Sequence, residues 1–417
     1  MSDKKITIIG AGQSGLQLGI GLLDAGYEVT IVSNRTPDEI RDGRIASSQC
    51  MFDLALSYER TLGLDLWPDA PTVDGLSFTI PHPELAGQKA LTFAHRLDAP
   101  AKSIDQRVKF PALMEVFADR GGEVIIEEAG IDELEKYTAA SDLVLVAAGK
   151  GEIAQLFSRD DQRSVYDSPQ RALALTYVTG LKPREDFSAV TFNLIPGIGE
   201  YFGFPALTTT GPCDIMVFEG IPGGPMDRWK GLSPEEHLAH SKEILDTYIP
   251  WEGERAVDAQ LTDDMGVLQG RFPPTVRHPI ATLPSGRRVL GMADVVVLND
   301  PITGQGSNNA SKCAESYLGS IIDHGAADYD ADFMQRTFET YWDDAQHVTK
   351  WTNALLAPPP DHVVQLLGAA SQNEAIAKRF VNGFNDPADF EDWFLDPDKA
   401  ADYVAAVSAP APVAEAS

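Results

Sequence analysis

The segment Gly10-Ala-Gly-Gln-Ser-Gly15 has the residue types and the spacing that bind a pyrophosphate. It follows a short β-branched run, Lys5 to Ile9, and opens a helical pattern that continues through Ala25. Glycines permit the tight turn and let a phosphate approach the N–H groups at the positive end of the helix. We therefore predict a dinucleotide-binding βαβ unit. Its expected contacts are Gly10, Gly12, Gln13, Ser14 and Gly15.

The residues after the second predicted strand, Glu28 to Val32, argue against a nicotinamide dinucleotide. An acidic side chain usually binds the adenosine ribose at that position, but this chain has Ser33-Asn34-Arg35 there. We expect ribose contacts from these neutral and basic groups. Phosphate or adenosine contacts are expected from two further cations, Arg44 and Arg107.

A second polar segment follows about 280 residues later. It comprises Gly291-Met-Ala-Asp294 and then Asp300-Pro-Ile-Thr-Gly-Gln-Gly-Ser-Asn-Asn309. An aspartate after a buried strand can hold a ribityl hydroxyl, and a helix N-terminus can present N–H groups to the pyrimidine edge of a flavin. We predict FAD contacts here, with the two asparagines close enough to the reacting edge to be catalytic. The residues are Asp294, Pro301, Gly304, Gln305, Gly306, Asn308 and Asn309.

The order of these two motifs resembles that of the p-hydroxybenzoate-hydroxylase-like flavoprotein monooxygenases. Within that group the chain resembles the styrene and indole monooxygenase family almost from end to end. Further segments carry the resemblance: Arg35-Thr-Pro-Asp-Glu39, Ala99-Pro100, Asp105-Gln-Arg107, Ala148-Gly-Lys150, Pro169-Gln-Arg-Ala172, Lys350-Trp-Thr-Asn353 and Pro358-Pro-Pro360.

The resemblance implies the oxygenase component of a two-component flavin monooxygenase. A separate NADH-dependent flavin reductase would supply FADH2, and a flavin C4a-hydroperoxide would transfer oxygen to a C=C bond. The mid-chain strand ends Ala147-Ala-Gly-Lys-Gly151, without the Asp-Gly motif through which single-component hydroxylases bind FAD and NADPH. A single-component NAD(P)H-dependent aromatic hydroxylase and a catalytically silent flavin-binding module remain alternatives. The Trp-x-Trp-x-Ile-Pro signature of flavin-dependent halogenases is absent.

The segment that contains Ser47, Gln49 and Met51 is expected to determine which substrate the protein accepts. These residues resemble the indole branch of the family, whereas the styrene branch tends to carry Asn, Val and His there. The indole branch also implies a small residue at Ala101 and aliphatic residues near Val73 and Leu76. The expected product is indole 2,3-epoxide, which rearranges to indoxyl and then oxidises to indigo. A styrene monooxygenase proper remains an alternative, and so does a purely packing role for these residues.

Composition excludes several classes of protein. The chain has 33 Lys and Arg against 62 Asp and Glu, a net charge of −29, which repels nucleic acid and anionic lipid. It has no apolar run of the roughly 18 to 20 residues that cross a membrane and no signal-peptide pattern, so we expect a cytoplasmic protein. The cysteines are scattered, and His237 and His240 lack companion ligands, so we expect no metal site. A homodimer stays open.

We predict an α/β fold: a Rossmann-like FAD-binding domain of the p-hydroxybenzoate-hydroxylase-like type, an inserted, mainly antiparallel substrate sheet, and C-terminal helices. Residues 1–45, 95–168 and 283–325 would form the FAD-binding domain. Residues 46–94 and 169–282 would form the substrate domain. A helical region would span residues 326–407, and residues 408–417 would be a disordered tail.

Overall fold

The computed structural model describes residues 4–148 and 152–408. In chain order, the strands are β1 (Lys5–Ile9), β2 (Glu28–Ser33), β3 (Thr72–Pro81), β4 (Lys89–Lys102), β5 (Glu123–Ile126), β6 (Leu143–Val146), β7 (Ala172–Thr179), β8 (Ala189–Ile195), β9 (Gly199–Thr208), β10 (Gly211–Gly220), β11 (Gln260–Leu261), β12 (Val267–Gly270), β13 (Thr275–Val276), β14 (Ile280–Thr282), β15 (Arg288–Gly291) and β16 (Val297–Leu298).

The α-helices in chain order are α1 (Gln13–Asp24), α2 (Pro37–Arg41), α3 (Asp53–Thr61), α4 (Gln106–Asp119), α5 (Ile131–Ala140), α6 (Glu152–Gln155), α7 (Pro234–Tyr248), α8 (Pro250–Gly253), α9 (Gly306–His324), α10 (Ala331–Leu356), α11 (Asp361–Ala370), α12 (Glu374–Asn382) and α13 (Pro397–Ser408). Short 3-10 turns cover Ala293–Val295, Pro301–Thr303 and Pro387–Asp392.

The first sheet has the strand order β14-β15-β6-β1-β2-β5. Its strands are parallel except β14, which pairs antiparallel with β15. All four residues of β6 are buried, as expected for a parallel strand that is covered on both faces. Apolar residues of α1, α4 and α9 complete this core, among them Leu16, Phe117 and Tyr317. The predicted α/β fold with a Rossmann-like core is confirmed.

The second sheet has the order β11-β7-β10-β9-β8-β3-β4, and β12 also pairs with β7. Its pairings are antiparallel except the one between β3 and β8. Alternation along β10 sends Ile215 and Val217 to one core and Met216 and Phe218 to another. We call the first of these faces the inner face. Aromatic residues of the C-terminal helices, including Phe380, pack against it.

Elements of the structure cross the predicted domain boundaries at three places. Strand β4 remains paired with β3 through Lys102 and therefore crosses the boundary expected at residue 95. Strand β14, placed in the substrate domain, belongs to the first sheet through its pairing with β15. Helix α3, also assigned to the substrate domain, packs on α9, where the Ser311 hydroxyl donates to the Ala55 carbonyl at 3.1 Å.

The C-terminal region is helical, as predicted, and its last described helix ends at Ser408, the first residue of the expected tail. The remainder of that tail lies outside the described residues, as does the Gly149-Lys150-Gly151 end of the mid-chain strand. Among the described residues, no helix combines the length and the apolar composition needed to cross a membrane.

Candidate functional site

The glycines between β1 and α1 fall into two kinds. Gly10 has φ +121°, and a Cβ there would lie 2.9 Å from the Ala148 nitrogen. A Cβ on Gly15 would lie 2.1 Å from the Gly10 carbonyl oxygen. The chain's own packing therefore requires these two glycines. Gly12 differs, because no described atom lies within 4 Å of the position its Cβ would take.

The start of α1 can accept an anion. Gly12 is its N-cap, no side chain caps it, and its first turn carries no acidic residue. The first N–H groups of a helix have no partner within the helix. Open space over Gly12 and these N–H groups together fit a pyrophosphate.

The Gln13 side chain turns away from this opening. Its Nε2 donates to Gln17 Oε1 at 3.0 Å and to Glu59 Oε1 at 2.7 Å. The same carboxylate forms a buried ion pair with Lys109, with Nζ–Oε1 of 2.5 Å. The Nε2 of Gln13 is therefore used within the protein, and its Oε1 has no partner among the described residues. Sequence reasoning missed the pair between Glu59 and Lys109, since nothing in the sequence indicates that α3 and α4 meet here.

The residues after β2 lie beside this helix start, because the Gly10 N–H donates to the Val32 carbonyl at 2.8 Å. The Ser33 hydroxyl donates to the Arg35 carbonyl at 2.7 Å and so holds the turn. Asn34, Arg35 and Arg44 are exposed, and the Arg44 Nη1 donates to the Val267 carbonyl at 3.3 Å. Arg35 thus places positive charge just after the carboxyl end of β2, where such folds bind ligands, whereas Arg44 lies beside β12 of the second sheet.

The predicted phosphate or adenosine contact of Arg107 is corrected by its surroundings. Its guanidinium is nearly buried and donates to Asp105 through Nε at 2.9 Å. It also donates to both carboxylate oxygens of Asp263, at 2.9 and 3.0 Å, and to the Thr208 hydroxyl at 3.0 Å. These two carboxylates raise its pKa, although burial opposes them. Arg107 joins the start of α4 to the second sheet instead of presenting its charge to a ligand.

The segment from Asp300 to Gly306, which we call the flavin loop, is open on one side. The Asp300 carboxylate accepts from the Ile302 N–H at 3.2 Å and begins the 3-10 turn at Pro301, while Gly304 has φ +64°. No described atom lies within 4 Å of a Cβ built on Gly304 or Gly306.

Helix α9 begins at Gly306 without a side-chain cap, so its N–H groups face a second opening. Asp294 is exposed in the preceding turn.

The two predicted catalytic asparagines have different surroundings. Asn308 Oδ1 accepts from the Phe52 N–H at 2.8 Å, and its Nδ2 donates to the carbonyls of Cys50 and Gly304. Asn309 is 3% exposed, and neither amide atom has a partner among the described residues. Asn308 is therefore used by the fold, which corrects its predicted role, and Asn309 is left to meet a ligand.

Among the described residues, Gln49 shares this property with Asn309, and Gln305 shares it in part, as Gln13 does. Gln49 is 2% exposed, and both of its amide atoms lack a partner within the described part of the chain. Gln305 donates to the Phe384 carbonyl at 2.9 Å, but its Oε1 has no partner among the described residues. Buried amides without partners lower stability, so a polar ligand would satisfy them. Asn308 connects the start of α9 to the segment that contains Gln49, because its side chain bonds to Cys50 and Phe52.

Three of the predicted substrate residues belong to one apolar cluster on the inner face. Val73 pairs with Ala101 across β3 and β4, and both are fully buried, as is Leu76. The Ser47 hydroxyl donates to the Ser48 carbonyl at 2.7 Å, and the Ser47 carbonyl accepts from the Tyr177 hydroxyl at 3.1 Å. These residues, with Gln49, remain candidates for the substrate pocket.

Met51 is placed elsewhere, which corrects its predicted role as an apolar wall beside Leu76. It clusters with Ala55 and Leu56, and its Sδ lies 3.1 Å from the Lys109 Nζ. Its neighbours Cys50 and Phe52 face the inner cluster. Successive side chains of an extended segment point to opposite sides, so Met51 faces the core beneath α3.

The comparisons with known proteins agree with this architecture. Residues 149–255 match the family model described as "Styrene monooxygenase A putative substrate binding domain". The styrene monooxygenase StyA of Pseudomonas fluorescens is 29% identical over 416 residues, which covers 95% of this chain and 96% of that protein. A StyA of another Pseudomonas is equally similar.

Solved structures with lower identity share the fold. The flavin-dependent brominase Bmp2 has a TM-score of 0.61 at 16% identity, covering 97% of this chain and 93% of that one. The tetrameric form of 2-methyl-3-hydroxypyridine-5-carboxylic acid oxygenase has a TM-score of 0.58 at 14% identity, covering 93% and 95%. At these identities the likeness shows the fold alone.

The two-sheet fold, the open glycine turns and the similarity to styrene monooxygenases together define a FAD-dependent monooxygenase. The chain is similar to the two styrene monooxygenases over nearly its whole length, and to the family model over residues 149–255.

Proposed function

We propose that this protein is the oxygenase component of a two-component system that epoxidises indole and styrene-like alkenes. FADH2 would come from a separate NADH-dependent flavin reductase. The observation that carries the proposal is the set of buried amide atoms of Gln49, Gln305 and Asn309 that have no partner among the described residues. They accompany an apolar cluster and two uncapped helix starts. The relatives named as styrene monooxygenases support an alkene substrate.

The residues fit FAD at both ends. The turn at Gly12 and the first N–H groups of α1 would hold the pyrophosphate, with Arg35 and Arg44 as the cations for adenosine or phosphate. The flavin loop and Asn309 would meet the isoalloxazine, and Asp294 the ribityl chain. Reduced FAD, when bound, supplies the two electrons that activate O2.

The overall reaction balances without an additional acid or base. FADH2, O2 and indole give FAD, water and indole 2,3-epoxide. One oxygen atom replaces the C2–C3 π bond with two C–O bonds, and the other leaves as water with the two hydrogens of FADH2. The side chains therefore have to orient the alkene and exclude water, because water promotes loss of hydrogen peroxide. The buried apolar side chains of Val73, Leu76 and Ala101 suit that task.

Gln49 would distinguish indole from styrene. Its Oε1 can accept the indole N–H, whereas styrene offers no donor and would leave the buried amide unpaired. We expect Gln49→Val to shift the indole-to-styrene product ratio toward styrene by about tenfold, on the order of 1.4 kcal/mol. The measurement is competition between equal concentrations of the two substrates.

Met51→Leu is the matched control for this specificity change. Met51 lies two residues away in the same segment but packs under α3. The indole-to-styrene product ratio of Met51→Leu should therefore equal that of the wild type. If Gln49→Val also leaves the ratio unchanged, Gln49 is a packing residue and not a substrate contact.

The two-component reaction can be tested with chemically reduced FAD and no nicotinamide. We expect oxygenated products when the protein is mixed with FADH2, indole and styrene in aerated buffer containing catalase. NADH or NADPH added to the protein with oxidised FAD should leave the flavin absorbance unchanged. Bleaching of the flavin by either nucleotide alone would identify a single-component hydroxylase. Complete loss of FADH2 as peroxide, measured without catalase, would refute both proposed substrates.

A further inference from the structure

Three buried carboxylates and one partly buried arginine lie together at the edge of the inner face, outside the residues assigned above to substrate. Glu219 on β10 lies directly opposite Glu200 on β9 in the antiparallel register. Glu219 is fully buried and Glu200 is 2% exposed. Arg171 immediately precedes β7, and Asp300 begins the flavin loop. Like charges directly opposite each other on adjacent strands are destabilising, so this arrangement requires compensation.

Arg171 compensates only one of the three carboxylates through hydrogen bonds. Its Nε and Nη2 donate to the two oxygens of Glu200 at 2.7 and 2.9 Å. Its Nη1 donates to the carbonyls of Gln170 and Leu356. Neither oxygen of Glu219 receives a hydrogen bond from any described residue. Among the described residues, Glu219 is thus a buried carboxyl group that accepts no hydrogen bond, and Arg171 acts on it only through its charge.

The group in contact with Glu219 is another carboxyl, that of Asp300. Burial, together with the charges of Asp300 and Glu200, raises the pKa of Glu219 well above its ordinary value. Burial also raises the pKa of Asp300, whose carboxylate accepts the Ile302 N–H. Two acceptors can approach in this way only when one of them carries a proton.

We propose that Glu219 stays protonated and donates a hydrogen bond to Asp300, and that this bond positions the flavin loop for the cofactor. Glu219 is then a positioning residue, and this role rests on the proposed placement of FAD at the loop. Asp300 would be held from two sides, because one contact fixes the loop internally and the other anchors it to β10.

The proposal has a defined pH dependence. The charged groups that face Glu219 are Asp300 from the loop, Glu200 from β9 and Arg171 before β7. As pH rises through its folded-state pKa, Glu219 loses its proton and the cluster gains one negative charge. The hydrogen bond to Asp300 is then replaced by repulsion, so the loop loosens and FAD affinity falls. Because the folded-state pKa is raised, this stabilisation is present at lower pH and is lost as pH increases.

The test compares Glu219→Gln, which keeps a donor but cannot ionise, with Glu219→Leu, which has neither property. FAD affinity would be measured by fluorescence from about pH 6 to about pH 10, a range that spans documented pKa values of buried glutamates. We expect the wild type to weaken on the order of tenfold across this range, and the Gln variant to stay flat. The Leu variant should bind about tenfold more weakly already at the lower end.

A second readout uses flavin-free protein. One proton bound only in the folded state changes the unfolding constant up to tenfold per pH unit, so urea unfolding of the wild type should show a pH slope that Glu219→Gln lacks. Asp214→Asn is the matched control, since Asp214 lies on the same strand and burial raises its pKa to about 6. That variant should alter the stability profile but leave the pH dependence of FAD affinity unchanged.

Identical pH profiles of FAD affinity for the wild type and Glu219→Gln would overturn the proposal. Equal FAD affinity in Glu219→Gln and Glu219→Leu would also overturn it. The same holds if the pH dependence of unfolding changes in Glu219→Gln while the pH dependence of FAD affinity does not. If the wild type does not bind FAD, the loop has no cofactor to position and the proposal is refuted. Neither readout requires substrate, so failure to oxygenate indole or styrene would refute the proposed function and leave these results intact.

Discussion

Asn309→Ala is expected to lower the ratio of epoxide formed to peroxide released by about tenfold to a hundredfold, with the melting temperature unchanged. Both amide atoms of Asn309 are buried and lack a partner among the described residues, so alanine removes no hydrogen bond seen within the protein. Its place in the first turn of α9 puts it beside the uncapped helix start. Removing one preorganised donor near a reacting centre commonly costs about 10²- to 10³-fold in rate, and product yield per FADH2 measures that loss.

Asn308→Ala is the adjacent comparison, and its expected effect is on stability. Asn308 holds Phe52 and Cys50 through bonds of 2.8 and 2.9 Å, and alanine would leave buried backbone groups unpaired at a cost of about 1–3 kcal/mol. Urea unfolding and product yield should therefore separate the two variants. Unchanged product yield in Asn309→Ala would remove this residue from the flavin site.

Local patterns in the sequence predict the fold correctly. The apolar run of β6 indicates a strand buried on both faces, and the glycines between β1 and α1 indicate the turn that the structure shows. Each of these signals depends on neighbours within a few residues, so a single sequence is sufficient to predict the strand or turn.

The directions of polar side chains could not be predicted in the same way. Asn308 bonds to Cys50, Arg107 to Asp263, and Glu219 meets Asp300. The two members of each pair are far apart in sequence, and only the packing of the two sheets brings them together. Strand pairing across the predicted domain boundaries could not be foreseen for the same reason, since the pairing of β14 with β15 depends on where the first sheet ends.

The sequence nevertheless carries one signal of a buried polar contact. Glu219 is a single carboxylate at the end of an apolar run, Ile215-Met-Val-Phe218. A buried strand carries a charge only when that charge is neutralised or paired. The residue types therefore indicate that Glu219 has a partner, but only the fold identifies that partner as Asp300.

Gly12→Ala is expected to weaken FAD binding by about tenfold to a hundredfold, on the order of 1.4 to 2.8 kcal/mol, without loss of stability. With φ −94° the position accepts alanine, and its methyl group would enter space free of described atoms. That methyl would occupy the approach of the pyrophosphate to the α1 N–H groups. Gly15→Ala is the matched control, because its methyl would overlap the Gly10 carbonyl and should cost about 3 kcal/mol of stability or more. Isothermal titration with FAD and urea unfolding of both variants would separate a glycine that the ligand needs from one that the fold needs. Wild-type affinity in Gly12→Ala would show that the cofactor does not pass over this turn.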